Sequence, residues 1–223
     1  MTNYIQLLGL EKHIEGGYFG VFYRSQDKVM PLDPRYHITN EADESVEERY
    51  AGTSIYFLLE KDDFSAWHRL KSDEIWHYYD GGSPIDIHVL DEDGRLTTHT
   101  LGRPGVTQDA SFQVLVRAGC WFAAEVRDKS SFGLVGCTVS PGFEYQDFEL
   151  ADKLYLINQY KNQQESVNKF IRMSPSVSKS WMSVGIKYAT IALISGVGLY
   201  ATKKFLFNTS LPSDIYNMIQ LRK

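Results

Sequence analysis

Cysteine is scarce in this chain. Cys120 and Cys137 are the only two among 223 residues. That is too few for the disulfide framework of a small secreted domain, although a bond between the two stays open. The opening residues do not read as a secretory leader. Met1-Thr2-Asn3-Tyr4-Ile5-Gln6 has neither a basic nor an apolar region, so the body is expected in a reducing compartment. No Gly-rich phosphate loop, nucleophile elbow or internal repeat occurs. Basic charge is short over most of the length: residues 1–173 carry 17 Lys/Arg against 27 Asp/Glu, a net −10. Such a body lacks the basic face on which nucleic-acid binding rests.

From Ser174 onward the balance inverts, with six Lys/Arg against Asp214 alone, a net +5. A basic, apolar tail on an acidic body points to a membrane surface. At 43% hydrophobic residues, the chain can bury one full core and still leave residues for an appendage.

The body reads as short strands divided by turns. Tyr4 to Leu10 is a short helix or entry segment, and Gly16-Gly17 turns into a strand over 18–25. Residues 26–48, charged and holding Pro31 and Pro34, show no period and read as a long loop. Ser54 to Leu59 alternates with Ile55, Phe57 and Leu59 on one face. Ile85, Ile87 and Val89 alternate next, and Asp91-Glu92-Asp93-Gly94 turns the chain into Arg95–Leu101. Phe112, Val114 and Val116 follow, then Cys120 to Val126 and Phe132 to Val139, stopped by Pro141-Gly142. Turns about every ten residues indicate an all-β sandwich or barrel. Residues 150–172 read as helical, with Val167, Phe170 and Ile171 on one side.

One stretch organises the rest. Residues 65–82 hold His68 and His77, Trp67 and Trp76, Tyr78 and Tyr79, and the ionisable Glu74, and end in Gly81-Gly82. That mixture suits the wall of a half-polar pocket better than a solvated loop or a dry core. The spacing resembles the first cupin motif, Gly-x5-His-x-His-x3–4-Glu-x6-Gly: His68 takes the first His position, and Glu74-x6-Gly81 matches its end. Leu70 stands where the second His belongs. Further pieces extend the likeness in order through about residues 5–172: Glu15-Gly16-Gly17-Tyr18, Thr53 to Leu59, Ser72 to His77, Gln113 to Val116, Gly119-Cys120-Trp121 and Val135 to Phe143. They are similar to a family of uncharacterised small cupins, fold relatives of the sugar-nucleotide 3,5-epimerases. The resemblance implies a jelly-roll β-barrel, commonly dimeric, with a ligand pocket inside it and no assigned reaction.

It also implies a test for metal. Metal-bearing cupins use three His and one Glu, but Leu70 and Phe122 occupy two of those positions here. His77 would rescue a third ligand only through a bulge, since positions 74 and 77 of an ideal strand face opposite ways. A metal-free pocket without cofactor is expected. His68 and Glu74, with His77 as a weaker third, are the acid–base candidates. The competing reading is that His68 and Glu74 hydrogen-bond each other and pin two strands together. Tyr56, Trp76, Tyr78, Trp121 and Phe143 could stack on a ligand or simply be core. Gln113 could orient a ligand or face solvent. Cys137 reads as an inert core thiol, and His13, beside the Gly-Gly turn, as structural.

Ser174–Ser180 reads as a linker, and residues 181–207 as a membrane helix before a short tail over 208–223. The uncharged run between Lys187 and Lys203 is fifteen residues, short of the roughly 20 a bilayer core needs. Snorkelling Lys187, with Trp181 and Tyr188 at the interface, extends it to span. An amphipathic or buried helix is the competing reading. The chain as a whole reads as a small-molecule-binding domain over 1–173, tail-anchored and facing the cytosol. It binds or isomerises a carbohydrate-like or carbonyl metabolite, or else is a non-catalytic ligand-binding or structural barrel.

Overall fold

The computed structural model describes residues 3–40 and 43–172. The linker and the apolar run expected after residue 173 lie outside those residues. The chain divides into two units, residues 1–173 and 174–223, and the described residues belong to the first.

Sixteen strands follow a short first helix, α1 (Tyr4–Leu7). They are β1 (Glu11–Lys12), β2 (Tyr18–Arg24), β3 (Lys28–Val29), β4 (His37–Asn40), β5 (Asp43–Val46), β6 (Arg49–Tyr50), β7 (Thr53–Glu60) and β8 (Phe64–Leu70). The remainder are β9 (Asp73–Gly81), β10 (Ile85–Leu90), β11 (Leu96–Leu101), β12 (Ala110–Ser111), β13 (Gln113–Val116), β14 (Trp121–Val126), β15 (Phe132–Ser140) and β16 (Phe148–Leu150). Two helices, α2 (Lys153–Gln159) and α3 (Gln164–Lys169), close the unit. One six-stranded sheet runs β1-β2-β7-β15-β9-β13 and the other β12-β11-β10-β14-β8-β16.

The alternation read in β7, β10 and β15 sorts their side chains as expected. Phe57, Leu59, Ile85, Ile87, Val135 and Val139 join Val114, Val116, Phe122 and Val126 in the core between the sheets. A second core lies on the outer face of the second sheet, where Trp67, Leu90, Trp121 and Ala123 meet Leu156, Val167 and Phe170 of the closing helices. Strand β14 is therefore buried at every position. It reads as a continuous apolar run because both its faces are covered. The first sheet's outer face is covered at one end, where Tyr4 and Ile5 of α1 pack with Leu10, Leu58 and Leu134, while Phe22, Ile75, Tyr79 and Leu115 stand exposed on its strands.

Three sequence expectations change. The stretch 26–48 is not loop throughout, because β3 pairs with β6 and β4 with β5. These strands of two to four residues are too short to show a period. Residues 148–172 begin with the strand β16, paired with β8, and then break into two short helices. Asp152 caps the first of these through Tyr155 N–H. Phe112 lies just outside β13 and is exposed instead of sharing the inward face of Val114 and Val116.

Candidate active site

Parity along β8 and β9 sets the site. His68 and Leu70 on β8, and Glu74 and Trp76 on β9, point into the space between the sheets. A cavity of about 90 Å³ opens there, walled by Phe19, Ile55, Phe57, Val139, Phe143 and Phe148 as well. His68 and Glu74, both buried, do not bond to each other. The strand-pinning reading therefore fails.

The partner of His68 is Glu15, from the loop between β1 and β2. His68 Nε2 lies 3.4 Å from Glu15 Oε2. His13 Nδ1 lies 3.1 Å from the same oxygen, but off the axis a hydrogen bond needs, so that nitrogen stays unsatisfied. Ser65 Oγ donates to Glu15 Oε1 at 2.9 Å. The loop is fixed from behind: Glu15 carbonyl oxygen accepts from Ala66 N–H at 2.8 Å and from Arg172 Nε at 2.8 Å. Gly16, at φ +114°, passes so close to the Phe64 carbonyl and the Arg172 guanidinium that any side chain would collide with both. The Gly-Gly pair thus lets the loop press Glu15 against β8.

The two carboxylates are driven apart in acidity. Burial raises Glu74, and the nearby Glu15 charge adds to it, so its carboxyl is pushed up to about 8. Trp76 Nε1 donates to Glu74 Oε2 at 3.0 Å, and the Cys137 thiol is a further partner. Burial would raise Glu15 too. Attraction to His68 and His13, with the Ser65 hydroxyl, outweighs it and holds Glu15 down at about 2. His68 is lowered by burial, with Glu15 opposing. Its Nδ1 is 2.7 Å from the Ala66 carbonyl oxygen, which can only accept, so Nδ1 carries a hydrogen. Nε2 then faces the Glu15 carboxylate, and the attraction that holds Glu15 down acts when a proton sits on that nitrogen. A proton arriving from a ligand has a resting place between these two acceptors.

Of the residues expected at the site, His68, Glu74, Trp76 and Phe143 line the cavity. His77 does not. It sits on the sheet's outer face, with Nε2 3.1 Å from Thr138 Oγ1 and Nδ1 3.1 Å from Gln113 Nε2, as strand parity requires. Gln113 is likewise outward and exposed. Tyr56 is also outward, its ring 5.5 Å from Phe22 and 5.9 Å from Tyr79. Trp121 belongs to the second core, under Arg69. Tyr78 packs on the main core, and its hydroxyl donates to the Gly81 carbonyl oxygen at 2.8 Å. Sequence reasoning missed Glu15 as a site residue and took His13 as structural. Cys137 is buried, as expected, with its thiol raised well above the usual range, yet it lines the cavity.

The metal set of other cupins does not fit. Leu70 lines the cavity and the Phe122 ring packs 4.0 Å from that of His68. Neither side chain offers a lone pair to a metal. Among the described residues no group of three or more His, Cys, Asp and Glu is disposed to hold an ion. A larger open cleft of about 500 Å³ lies on the other side of His13. Its central Asp63 is already held by Lys12, Gly17 N–H and Arg172.

With two facing sheets and this interior cavity in place, comparison with known proteins becomes decisive. Residues 2–151 match the model of the Cupin superfamily (DUF985). The chain belongs to that family. A crystal structure of a protein from Shewanella oneidensis is similar at 35% identity and TM-score 0.65, covering 78% of this chain and all of that one. A hypothetical protein from Leishmania major is similar at 32% and 0.63, covering 75% and 96%. A dTDP sugar isomerase from Desulfovibrio desulfuricans aligns at 16% identity and TM-score 0.38, covering 57% of this chain and 85% of that one, too weak a likeness to bear on function. No curated protein matches the chain.

Proposed function

We propose that this cupin cavity binds a small carbonyl or carbohydrate-like metabolite and moves a proton at the carbon next to its carbonyl, without metal. The observation that carries the reading is the pair of carboxylates in one enclosed space, Glu15 held down at about 2 and Glu74 pushed up to about 8. Titratable groups pushed apart by their surroundings divide the roles of base and acid. Glu15, backed by His68, takes the proton from the substrate C–H. Glu74 gives its proton to the carbonyl oxygen as the enediol forms. Return of a proton to either carbon, and of the second proton to Glu74, completes an isomerisation or epimerisation. Near neutral pH the protonated Glu74 and ionised Glu15 coexist.

The test is a panel of short aldoses, ketoses and hydroxy acids incubated with the protein in deuterated water and followed by proton NMR. Loss of one carbon-bound proton signal, stopped in Glu15→Gln and Glu74→Gln, is the expected result. Saturable binding with no exchange would leave the cavity as a ligand-binding module and end the enzymatic reading.

The segment 181–207 is proposed as a membrane tether that leaves the cupin domain facing the cytosol. Its support is the sequence: an uncharged run flanked by Lys187 and Lys203-Lys204. No helix among the described residues is long and apolar enough to cross a membrane, so the tether rests on this segment alone. Release of the full chain by alkaline carbonate would remove a spanning helix. A homodimer through the first sheet is proposed from Phe22, Tyr79, Ile75 and Leu115, exposed on one sheet face. Light scattering should then report a dimer that Tyr79→Glu weakens.

A further inference from the structure

The cavity has a polarity from floor to mouth. Its buried end holds Glu15, His68 and Glu74, whereas its exposed residues are Val21, Arg24 and Tyr145. Arg24 ends β2 opposite Thr53, and its guanidinium rests over the Tyr50 ring at 4.9 Å. Among the described residues it makes no ion pair within 4.0 Å. Glu144 feels its charge, and burial holds that carboxyl above its usual range. An unclaimed guanidinium at the mouth of a pocket is a natural dock for a planar anion, because its fork matches two carboxylate oxygens. Size narrows the choice. A cavity needs about 10–15 Å³ of such space to admit one water, so the cavity of about 90 Å³ admits a few and is small beside the roughly 300–1,000 Å³ of pockets that enclose drug-sized ligands.

We infer that the ligand is a hydroxy- or oxo-carboxylic acid of three or four carbons, seated with its carboxylate outward on Arg24. Its hydroxyl or carbonyl then points inward, the hydroxyl donating to Glu15 and the carbonyl accepting from Glu74. The inward orientation rests on the acid–base reading above. The outward carboxylate rests on Arg24 and the cavity's size. A nucleotide-linked sugar exceeds this space many times over, so the inference separates this pocket from one that encloses such a substrate.

The probes are lactate, glycerate and pyruvate, with lactamide as the neutral isostere of lactate, binding being followed by saturation-transfer NMR on the full-length chain in detergent. At least one acid should bind saturably in the millimolar range or better. Lactamide and the Arg24→Gln variant should each weaken binding at least about tenfold, with Arg24→Lys keeping part of it. Equal binding of lactamide and lactate, an unchanged Arg24→Gln, or no binding of any acid would each overturn the inference. Failure of the acid–base reading looks different: Arg24-dependent binding would persist without deuterium exchange. Exchange in a neutral sugar that ignores Arg24→Gln would sink the acid and spare the acid–base site.

Discussion

Two clusters of buried charge in this barrel behave in opposite ways. In the first, Arg49 and Asp147 face each other at 2.6 and 2.9 Å through two parallel hydrogen bonds. Glu47, Lys71 and the Tyr36 ring complete their shell. Every charge there has an opposite within reach, and none of these residues lines the cavity. In the second, Glu15 and Glu74 share a cavity with two imidazoles, and the two carboxyls are displaced in opposite directions. Burial of charge is common to both, so burial alone does not mark a site. The mark is an imbalance left unresolved beside open space.

The largest effect expected from breaking this contrast lies in the balanced cluster. Asp147→Ala leaves buried Arg49 with Glu47 as its one remaining carboxylate, which should cost up to about 3–5 kcal/mol in denaturant unfolding. The paired change Arg49→Met with Asp147→Leu should recover most of that loss, since an apolar pair of similar size avoids the desolvation cost. Carbon-detected NMR of the Glu74 carboxyl should be unmoved by either change. A shift of its midpoint would show that the clusters are coupled.

Glu15→Gln comes next. It should cost about 1–3 kcal/mol by leaving neighbouring polar groups poorly paired. Its diagnostic readout is a drop in the Glu74 midpoint from about 8, because one of the two causes of that elevation is the Glu15 charge. Burial remains, so the midpoint should stay above the ordinary carboxylate range. An unchanged midpoint would mean that Glu15 does not face Glu74 as an ion.

Much of this was legible beforehand. The cupin-motif spacing points His68 and Glu74 into the barrel, leaves Trp76 and Phe143 open between ligand wall and core, and lets Leu70 and Phe122 warn that the usual metal set is missing. Glu15 was harder, because nothing local to the loop says what it touches. Its glycines read as a turn, while their reason for being there, close approach to Phe64 on β8, spans some fifty residues of sequence. Trp121 misled because helices cover the outer face of β14, erasing the alternation that would have separated it from Phe122. Tyr56 and Gln113 sit on a sheet face that still exposes apolar residues, so polarity did not tell them inside from outside.

The pH dependence of stability gives the third test. Glu74 is raised from 4.5 to about 8 in the folded chain, so between those values the native state holds a proton the unfolded state has lost. Stability should therefore fall as pH rises through that window, by at most about 1.4 kcal/mol per pH unit. Glu15, held down at about 2, works the other way: the stability it contributes is lost as pH falls from 4.5 toward 2. Glu74→Gln should flatten the profile above pH 4.5 and leave the acid limb alone. A mutant profile still declining with the same slope toward pH 8 would assign that decline to another group.

The smallest effect is expected at His77, and it is informative for that reason. His77 stands between Trp76 and Tyr78 on β9, opposite Gly136 of β15, yet its side chain faces away from the cavity toward Thr138 and Gln113. Its half-exposed ring makes two hydrogen bonds that water can replace, so His77→Ala should change unfolding free energy by only about 0.5–1 kcal/mol. It should leave the Glu74 midpoint, the deuterium exchange and any Arg24-dependent binding as they are. On the proposed dimer, by contrast, the same change removes a polar group from the middle of the outer sheet face, so any response should appear in the association constant. Loss of exchange in His77→Ala with the fold intact would mean that a proton path crosses β9, and that parity had been trusted too far.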